Sequence, residues 1–507
     1  MPYAGASSAP DHPALVVGHK GGTVSRNGLV ATQLFVGKNP VVPFAKTLRN
    51  VEWGIKERIL YTGPDGTTRP ECLRPVGDLD EVVGKIQSAA ARTRKLTVAE
   101  FLATRPSRSR AVYERAADSL TRPYRLADLS KTKLFVKWEK TRWTKPQVPR
   151  IINPRDPAYN ILVGRYLVPM EHQVFRTLQT VVGQGVPCVA KGRTNRQRAE
   201  DVAALLKPGF VAIGLDASRF DQCVGRTMLR FEHSVYALFN SSRELAWLLK
   251  EQLNNRGTYV GRDGWLKCKY GAIRCSGDQN TSLGNCLISV ALAHLFATEM
   301  GVEHGIYCDG DDLLLFVPAE VESTILGAVT NWYLEWGFRM KVEPTARTLE
   351  QIEFCQCRIV DVNGPLFVRN PLKAFDTDYC CYFDNWDATR YRELMHAIGS
   401  CGLSLTAGCP VMQAWYQMGL RLGLKPGARR VARELWNTGL YRQSRLEGGY
   451  KKAIPVTDTS RLSFEAAFGI SVPMQLALEH AFSVMEVDFA VETSVDHGGF
   501  DFACIHG

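Results

Sequence analysis

Residues 306–316 read Ile-Tyr-Cys-Asp-Gly-Asp-Asp-Leu-Leu-Leu-Phe. Apolar runs flank an Asp-Gly turn signal, so the stretch predicts a β-hairpin buried along its arms, with Asp309, Asp311 and Asp312 crowded at its tip. Carboxylates held together beside a buried structure repel each other and cost desolvation unless a cation neutralises them. All-oxygen ligation favours a hard divalent cation, most simply Mg²⁺, with Mn²⁺ as a possible substitute.

Working outward, Phe210–Leu215 reads as a buried strand ending at Asp216, with Arg219, Phe220 and Asp221 following. Carboxylates from two separate strands can meet over a pair of Mg²⁺ ions roughly 3.5–4 Å apart. Mg²⁺ takes few protein carboxylates and completes its octahedron with water and substrate phosphates. Asp216 and Asp311 therefore suit in-line nucleotidyl transfer, in which one metal activates a 3′-hydroxyl and the other stabilises leaving pyrophosphate. Between them, Thr227–Phe239 has helical periodicity, and a Gly-rich loop from Gly271 to Asn280 runs into a long helix ending near Met300. Beyond the hairpin, Trp332–Phe338 reads as helix leading into Arg339–Glu343. Phe354–Val360 and Leu366–Arg369 read as a second hairpin turning at Asn363-Gly364. Upstream, helical pieces are expected at Val51–Leu60 and Leu79–Ala91.

The chain has 507 residues, 45% hydrophobic and 22% charged, with a net charge of +11. That balance is of a globular protein, and the positive excess favours an anionic partner such as nucleic acid. The most basic segment, Lys131–Arg155, carries Lys137, Lys140, Arg150 and Arg155 against one acid, Glu139, with Trp138 and Trp143 interleaved and several prolines. Prolines oppose a continuous helix, so a rigid extended segment lining a phosphate groove is expected. The 14 cysteines include no CxxC pair and read as buried reduced thiols. The N-terminus lacks signal-peptide features, and the stretch nearest to a membrane span, Leu283–Met300, is interrupted by Asn285, Ser289, His294 and Glu299. No Gly-x4-Gly-Lys-Ser/Thr loop supports a P-loop NTPase.

Gly214–Asp221, Ser276–Asn285 and Gly310-Asp311-Asp312 resemble motifs A, B and C of positive-strand RNA virus RNA-dependent RNA polymerases, closest to the tombusvirus-like group. Lys137–Lys140 with Pro149–Arg155 resembles motif F, and Lys191-Gly192, Ile352–Cys355 and Ala397–Gly402 resemble further stretches, so that the likeness spans roughly residues 45–425. The resemblance implies that Asp216 and Asp311 ligate the catalytic metals with Asp312 assisting, while Asp309 is a turn residue outside the chemistry. It implies that Asp221 senses the ribose 2′-hydroxyl, complemented by Asn285, with Ser276 and Thr281 positioning the loop. Loop and helix-capping chemistry explains Ser276 and Thr281 equally well. Gly277 is expected to let backbone approach template or substrate closely. Lys137, Lys140 and Arg150 would hold the triphosphate, and Lys341 would protonate pyrophosphate, although a surface lysine at a strand start explains Lys341 as readily.

The resemblance further implies an α+β right hand with an antiparallel palm sheet backed by helices. Residues 1–90 would join fingers and thumb, 91–205 form fingers, 206–375 the palm with a fingers insertion near 240–272, and 376–507 the thumb and a loose acidic tail. The implied activity is template-directed addition of ribonucleotides to replicate and transcribe a viral genome, with primer-independent initiation. The implied partners are RNA, ribonucleoside triphosphates and a replication protein supplying membrane attachment in the host cytoplasm. A reverse transcriptase would share the two-metal site, but the Ser276…Thr281…Asn285 pattern with Gly-Asp-Asp looks RNA-copying. The Asp309-Gly-Asp311 stretch also matches the DxD of nucleotide-sugar transferases, which leaves the basic segment without a purpose. A non-catalytic RNA-binding scaffold leaves the Asp216/Asp311 pair without one.

Overall fold

The apolar arms of the 306–316 stretch pair as an antiparallel hairpin of strands Gly305–Asp309 and Asp312–Pro318 in the computed structural model. Gly310 makes the turn at φ +82°, where a side chain would be strained. The second arm pairs with the strand Phe210–Ala217, which pairs on its other edge with Met340–Val342. These make a four-stranded antiparallel sheet. The structure describes residues 5–21, 30–33, 41–142, 147–383, 387–425, 427, 439–487, 489 and 502–504.

Side chains alternate across this sheet. Ile213, Leu215, Leu313 and Leu315 join one core with the helices Pro157–Val182, Arg226–Phe239 and Thr281–Glu299. Ala212, Tyr307, Leu314 and Phe316 join a second core with the helix Asn195–Leu205 and the strands around Ile359 and Phe367. Both faces are covered, which is why the hairpin arms are apolar at successive positions. Among the described residues, Thr281–Glu299 is the one helix long and apolar enough to cross a membrane, and it is a core helix, 83% buried. It also grips the hairpin tip: Ser289 Oγ donates to the Gly310 carbonyl at 2.7 Å, and the Gly310 N–H donates to Cys286 Sγ at 3.2 Å.

Several boundaries differ from the periodicity reading. The helix expected at Trp332–Phe338 spans Glu322–Glu335, and the chain turns at Gly337 (φ +86°) before Phe338. Phe354–Val360 is not one strand, because Cys355 and Gln356 both adopt positive φ (51° and 63°) and fold a tight turn. Strands Glu353–Phe354, Cys357–Asp361 and Pro365–Arg369 result, the last two joined at Asn363-Gly364 as expected. The Val51–Leu60 helix begins at Leu48 and ends in a π-helical turn, Lys56–Leu60. Residues 240–272 contribute strands Asn255–Val260 and Gly264–Gly271 to a sheet flanked by Leu15–His19 and Thr132–Lys133. Beyond residue 376 the described chain is mainly helical, packed around Trp415. Of the tail expected to be loose, Phe502–Cys504 pairs in parallel with Val30–Gln33, and most of the rest lies outside the described residues. The 12 cysteines whose side chains the structure describes are free thiols.

His294 Nδ1 lies 2.9 Å from His304 Nε2, and His304 Nδ1 lies 3.0 Å from the Val302 carbonyl. A carbonyl only accepts, so His304 carries its hydrogen on Nδ1 and its Nε2 accepts from His294. The contact holds a single hydrogen, so the two rings are not both charged. Burial and the adjacent His304 push the His294 pKa down to about 4, and burial lowers that of His304. Unfolded histidine titrates near pH 6.5, so the unfolded chain takes up protons that the folded chain refuses. The stability contribution is complete above pH 6.5 and is lost as pH falls toward 4. At pH 5 the loss from His294 should be about 2 kcal/mol. Melting curves at pH 7.5 and pH 5 should show a smaller acid-induced fall in Tm for His294→Asn than for the parent; equal falls would exclude this pair as the source.

Candidate active site

Strand pairing sets Asp216 opposite Asp312 on one side and opposite Lys341 on the other. Asp311, at the hairpin tip, and Asp216 open onto one cleft of about 430 Å³. Desolvation by the cleft walls, then repulsion from Asp311, raise the Asp216 pKa, against the pull of Lys341. Asp312 does not line this cleft. It is half-buried, and burial followed by the Asp311 charge pushes its carboxyl up to about 6, with the Cys355 thiol opposing through a hydrogen bond. Lys341 is exposed, also stands outside the cleft lining, and pairs with Glu343, which raises its pKa.

Asp309 lies outside the cleft lining, but it is more than a turn residue. Lys191 forms an ion pair with Oδ1, and Arg198 Nη2 lies 2.9 Å from Oδ2. Burial works against the Lys191 charge, yet Asp309 outweighs it and the Lys191 pKa is raised. The cation that the crowded tip demands is, for Asp309, supplied by the protein. Among the described residues no Lys or Arg forms an ion pair with Asp216 or Asp311. Among the described residues no three His, Cys, Asp or Glu side chains close into a metal cage. A carboxylate pair facing a cleft of this size fits Mg²⁺, which keeps waters and substrate oxygens in its shell.

The cleft floor is built by the loop before the helix Thr281–Glu299. Asp221 follows a left-handed Arg219 (φ 59°) in a short helix, Phe220–Cys223, and Asn285 Nδ2 donates to its Oδ1 at 2.8 Å. Burial raises the Asp221 pKa, opposed by that hydrogen bond. Ser276 lines the cleft, and its carbonyl accepts from the Asn153 N–H at 2.9 Å. Gly277 has φ +117°, and a Cβ there would come within 3.2 Å of Pro154. The close approach that this glycine makes within the protein is to the basic segment. The Thr281 hydroxyl donates to the Cys275 and Asp278 carbonyls, at 3.0 Å each, so it holds the loop as the capping alternative anticipates.

The basic segment divides by residue. Lys137 and Arg150 line the cleft, both near Glu139, at 3.4 and 3.6 Å. Lys140 does not line it, and its ammonium donates to the Thr377 carbonyl. Arg155 is not a groove residue either; it is fully buried and pairs with Asp278 at 2.7 Å. Trp138 is 40% exposed beneath Lys46, while Trp143 lies outside the described residues. Sequence reasoning missed Arg58, on the π-helical turn, which lines the cleft and donates from Nε to the Val148 carbonyl at 2.8 Å. Burial, then Arg150 and Arg219, push its guanidinium down to about 10. Among the described residues no carboxylate forms an ion pair with it, so an anion in the cleft would relieve this crowding. Its only trace in the sequence is an arginine within a helix-like piece far from every motif.

The model of the family described as viral RNA dependent RNA polymerase matches residues 19–490. The chain belongs to that family. It is 34% identical over 456 residues to the RNA-directed RNA polymerase of Maize chlorotic mottle virus, covering 88% of this chain and 47% of that protein. It is 32% identical over 501 residues to that of Tobacco necrosis virus (strain A), covering 96% and 68%. The polymerase of Turnip crinkle virus is 32% identical over 458 residues, covering 87% and 58%. The chain thus spans about half to two thirds of the length of these curated relatives. Membership implies a right-hand polymerase, and the mixed α+β fold with its antiparallel sheet is consistent with one.

Proposed function

We propose that this chain is an RNA-dependent RNA polymerase that adds ribonucleotides to an RNA 3′ end under the direction of an RNA template. The observation that carries the reading is one cleft shared by a carboxylate pair (Asp216, Asp311), a polar Asp221–Asn285 pair and the cations Arg58, Lys137 and Arg150. Asp216 and Asp311 would hold the divalent cations that family members use, with Asp312 adjoining. Mg²⁺ bound there, or Mn²⁺ in its stead, would acidify the attacking 3′-hydroxyl and neutralise the leaving pyrophosphate.

The chain's own residues bind and orient the nucleotide. Arg58, Arg150 and Lys137 would take the triphosphate, the arginines through forked donors and the lysine as a point charge. Glu139 bridges Lys137 and Arg150 at 3.4 and 3.6 Å, offsetting their mutual repulsion, and phosphate would have to compete with it for them. Asp221 and Asn285 together offer an acceptor and a donor, as a ribose 2′-hydroxyl requires. Ser276 and Thr281 keep the loop beneath them in shape. Lys341, level with Asp216, remains the proposed proton donor to pyrophosphate, for which it must leave Glu343. Lys140, held on Thr377, falls outside the triphosphate set.

In the same reading, 206–375 is the palm, 91–205 with the 240–272 insertion the fingers, 376–507 the thumb, and 1–90 the span between them. Initiation without a primer and membrane attachment through a replication protein belong to this proposal. The test is synthesis on unprimed single-stranded RNA with Mg²⁺ and four ribonucleoside triphosphates. Full-length labelled complement is expected. Product only with an added primer would remove primer-independent initiation, and template-independent product would point to terminal transfer instead.

A further inference from the structure

Glu232 and Arg274 form a salt bridge whose side chains are both 0% exposed. Fully buried ion pairs are seldom better than apolar residues for stability, so this one calls for another reason. The pair occupies the two ends of the guanidinium and leaves its Nε hydrogen, which donates to Asn285 Oδ1 at 2.9 Å. Arginine has no acceptor. Asn285 must therefore turn its oxygen to Arg274 and its NH₂ to Asp221, the arrangement found at 2.8 Å. The surroundings are shaped for this. A Cβ on Gly284 would overlap both the Arg274 guanidinium and the Glu232 carboxylate. Asn280 donates to Glu232 and is itself held by Gln252 Nε2 at 2.9 Å.

An amide's last torsion is broadly two-fold. Arg274 and Asp221 hold the Asn285 amide from both sides; without Arg274 its oxygen loses its donor and the amide is held from one side only. With Arg274 in place, one Asn285 N–H goes to Asp221 Oδ1. The other N–H remains for a ribose 2′-oxygen, and Asp221 Oδ2 remains for the 2′-hydroxyl hydrogen. A deoxyribose satisfies neither.

We propose that the Glu232–Arg274 pair positions the Asn285 amide, and that preference for ribonucleotides over deoxyribonucleotides depends on it. The inference rests on the reading of Asp221 and Asn285 as the ribose site. The test compares kcat/KM for single CTP and dCTP incorporation on a primed RNA template by the parent, Asp221→Ala and Arg274→Lys. Lysine can keep the ion pair with Glu232 but has no planar fork to supply Asn285 as well. We expect Arg274→Lys to lower the CTP/dCTP ratio about tenfold or more, as removing a hydrogen-bonding discriminator should. An Asp221→Ala ratio equal to the parent's would overturn the ribose site and this inference with it. A collapsed ratio for Asp221→Ala, with Arg274→Lys slowing both substrates in equal proportion, would overturn the inference alone and leave the ribose site standing. Should Arg274→Lys not fold, Glu232→Gln is measured in its place. If neither variant folds, the pair is a folding element and the inference falls.

Discussion

Asp311→Ala should reduce nucleotide incorporation to background on every template while leaving RNA affinity unchanged. The carboxylate faces the cleft from an exposed turn and takes no part in the hairpin's core. What it contributes is negative charge beside Asp216, where repulsion already raises the Asp216 pKa. Removing it relieves that repulsion, so the metal-free Tm should be equal to or above the parent's. Losing a ligand that stabilises transition-state charge by several kcal/mol slows the chemistry about 10³-fold or more. Because a ligand bound only by the folded state stabilises it, Mg²⁺ should raise the parent's Tm more than the variant's. Residual incorporation within tenfold of the parent would exclude Asp311 as a metal ligand. Asp309→Ala is the contrast from the same tip: it strands Lys191 and Arg198, so stability falls although no cleft residue has been touched.

The hairpin and its partner strand were legible because apolar runs, an Asp-Gly turn and a strand ending in Asp are local signals. Their convergence was legible only through the order of the motifs, since strand order is a long-range property. Side-chain partners were not legible. Gly277 reads as a site of close approach, but its neighbour is Pro154, more than 100 residues away along the chain. Arg58 and Glu232 lie in stretches whose periodicity announces a helix and nothing about which polar residue faces a cleft or an ion pair. Local pattern does not distinguish Asp309, Asp311 and Asp312, which only the motif resemblance ranks, and the fold separates them: one on protein cations, one facing the cleft, one turned toward Cys355.

Arg150 and Arg155 make the same point as an experiment. Both belong to one basic run, and composition does not tell them apart. Arg155 donates from Nε to Asp278 at 2.7 Å, and from its two terminal nitrogens to the Ser130 carbonyl and Asn255 Oδ1 at 2.6 Å each. It fastens the loop carrying Ser276 to the strand that starts at Asn255 and to the basic segment, and Asp278 beneath it is 2% exposed. Arg155→Ala leaves that carboxylate buried and unpaired, which should cost about 3–5 kcal/mol of stability. Arg150 is 55% exposed, and its ion pair with Glu139 is long, at 3.6 Å. Such a pair adds little, so Arg150→Ala should change stability by less than about 0.5 kcal/mol. If it holds triphosphate, the lost charged hydrogen bond should raise KM for nucleotides about 10- to 100-fold. Denaturant midpoints for the two variants, read beside their nucleotide KM values, separate the roles. A parent-like midpoint for Arg155→Ala, or a parent-like KM for Arg150→Ala, would each remove one half of this division. Replacing Arg155 and Asp278 together by apolar residues should recover part of the stability lost on removing Arg155 alone, because the cost lies in the stranded charge rather than in the missing contact.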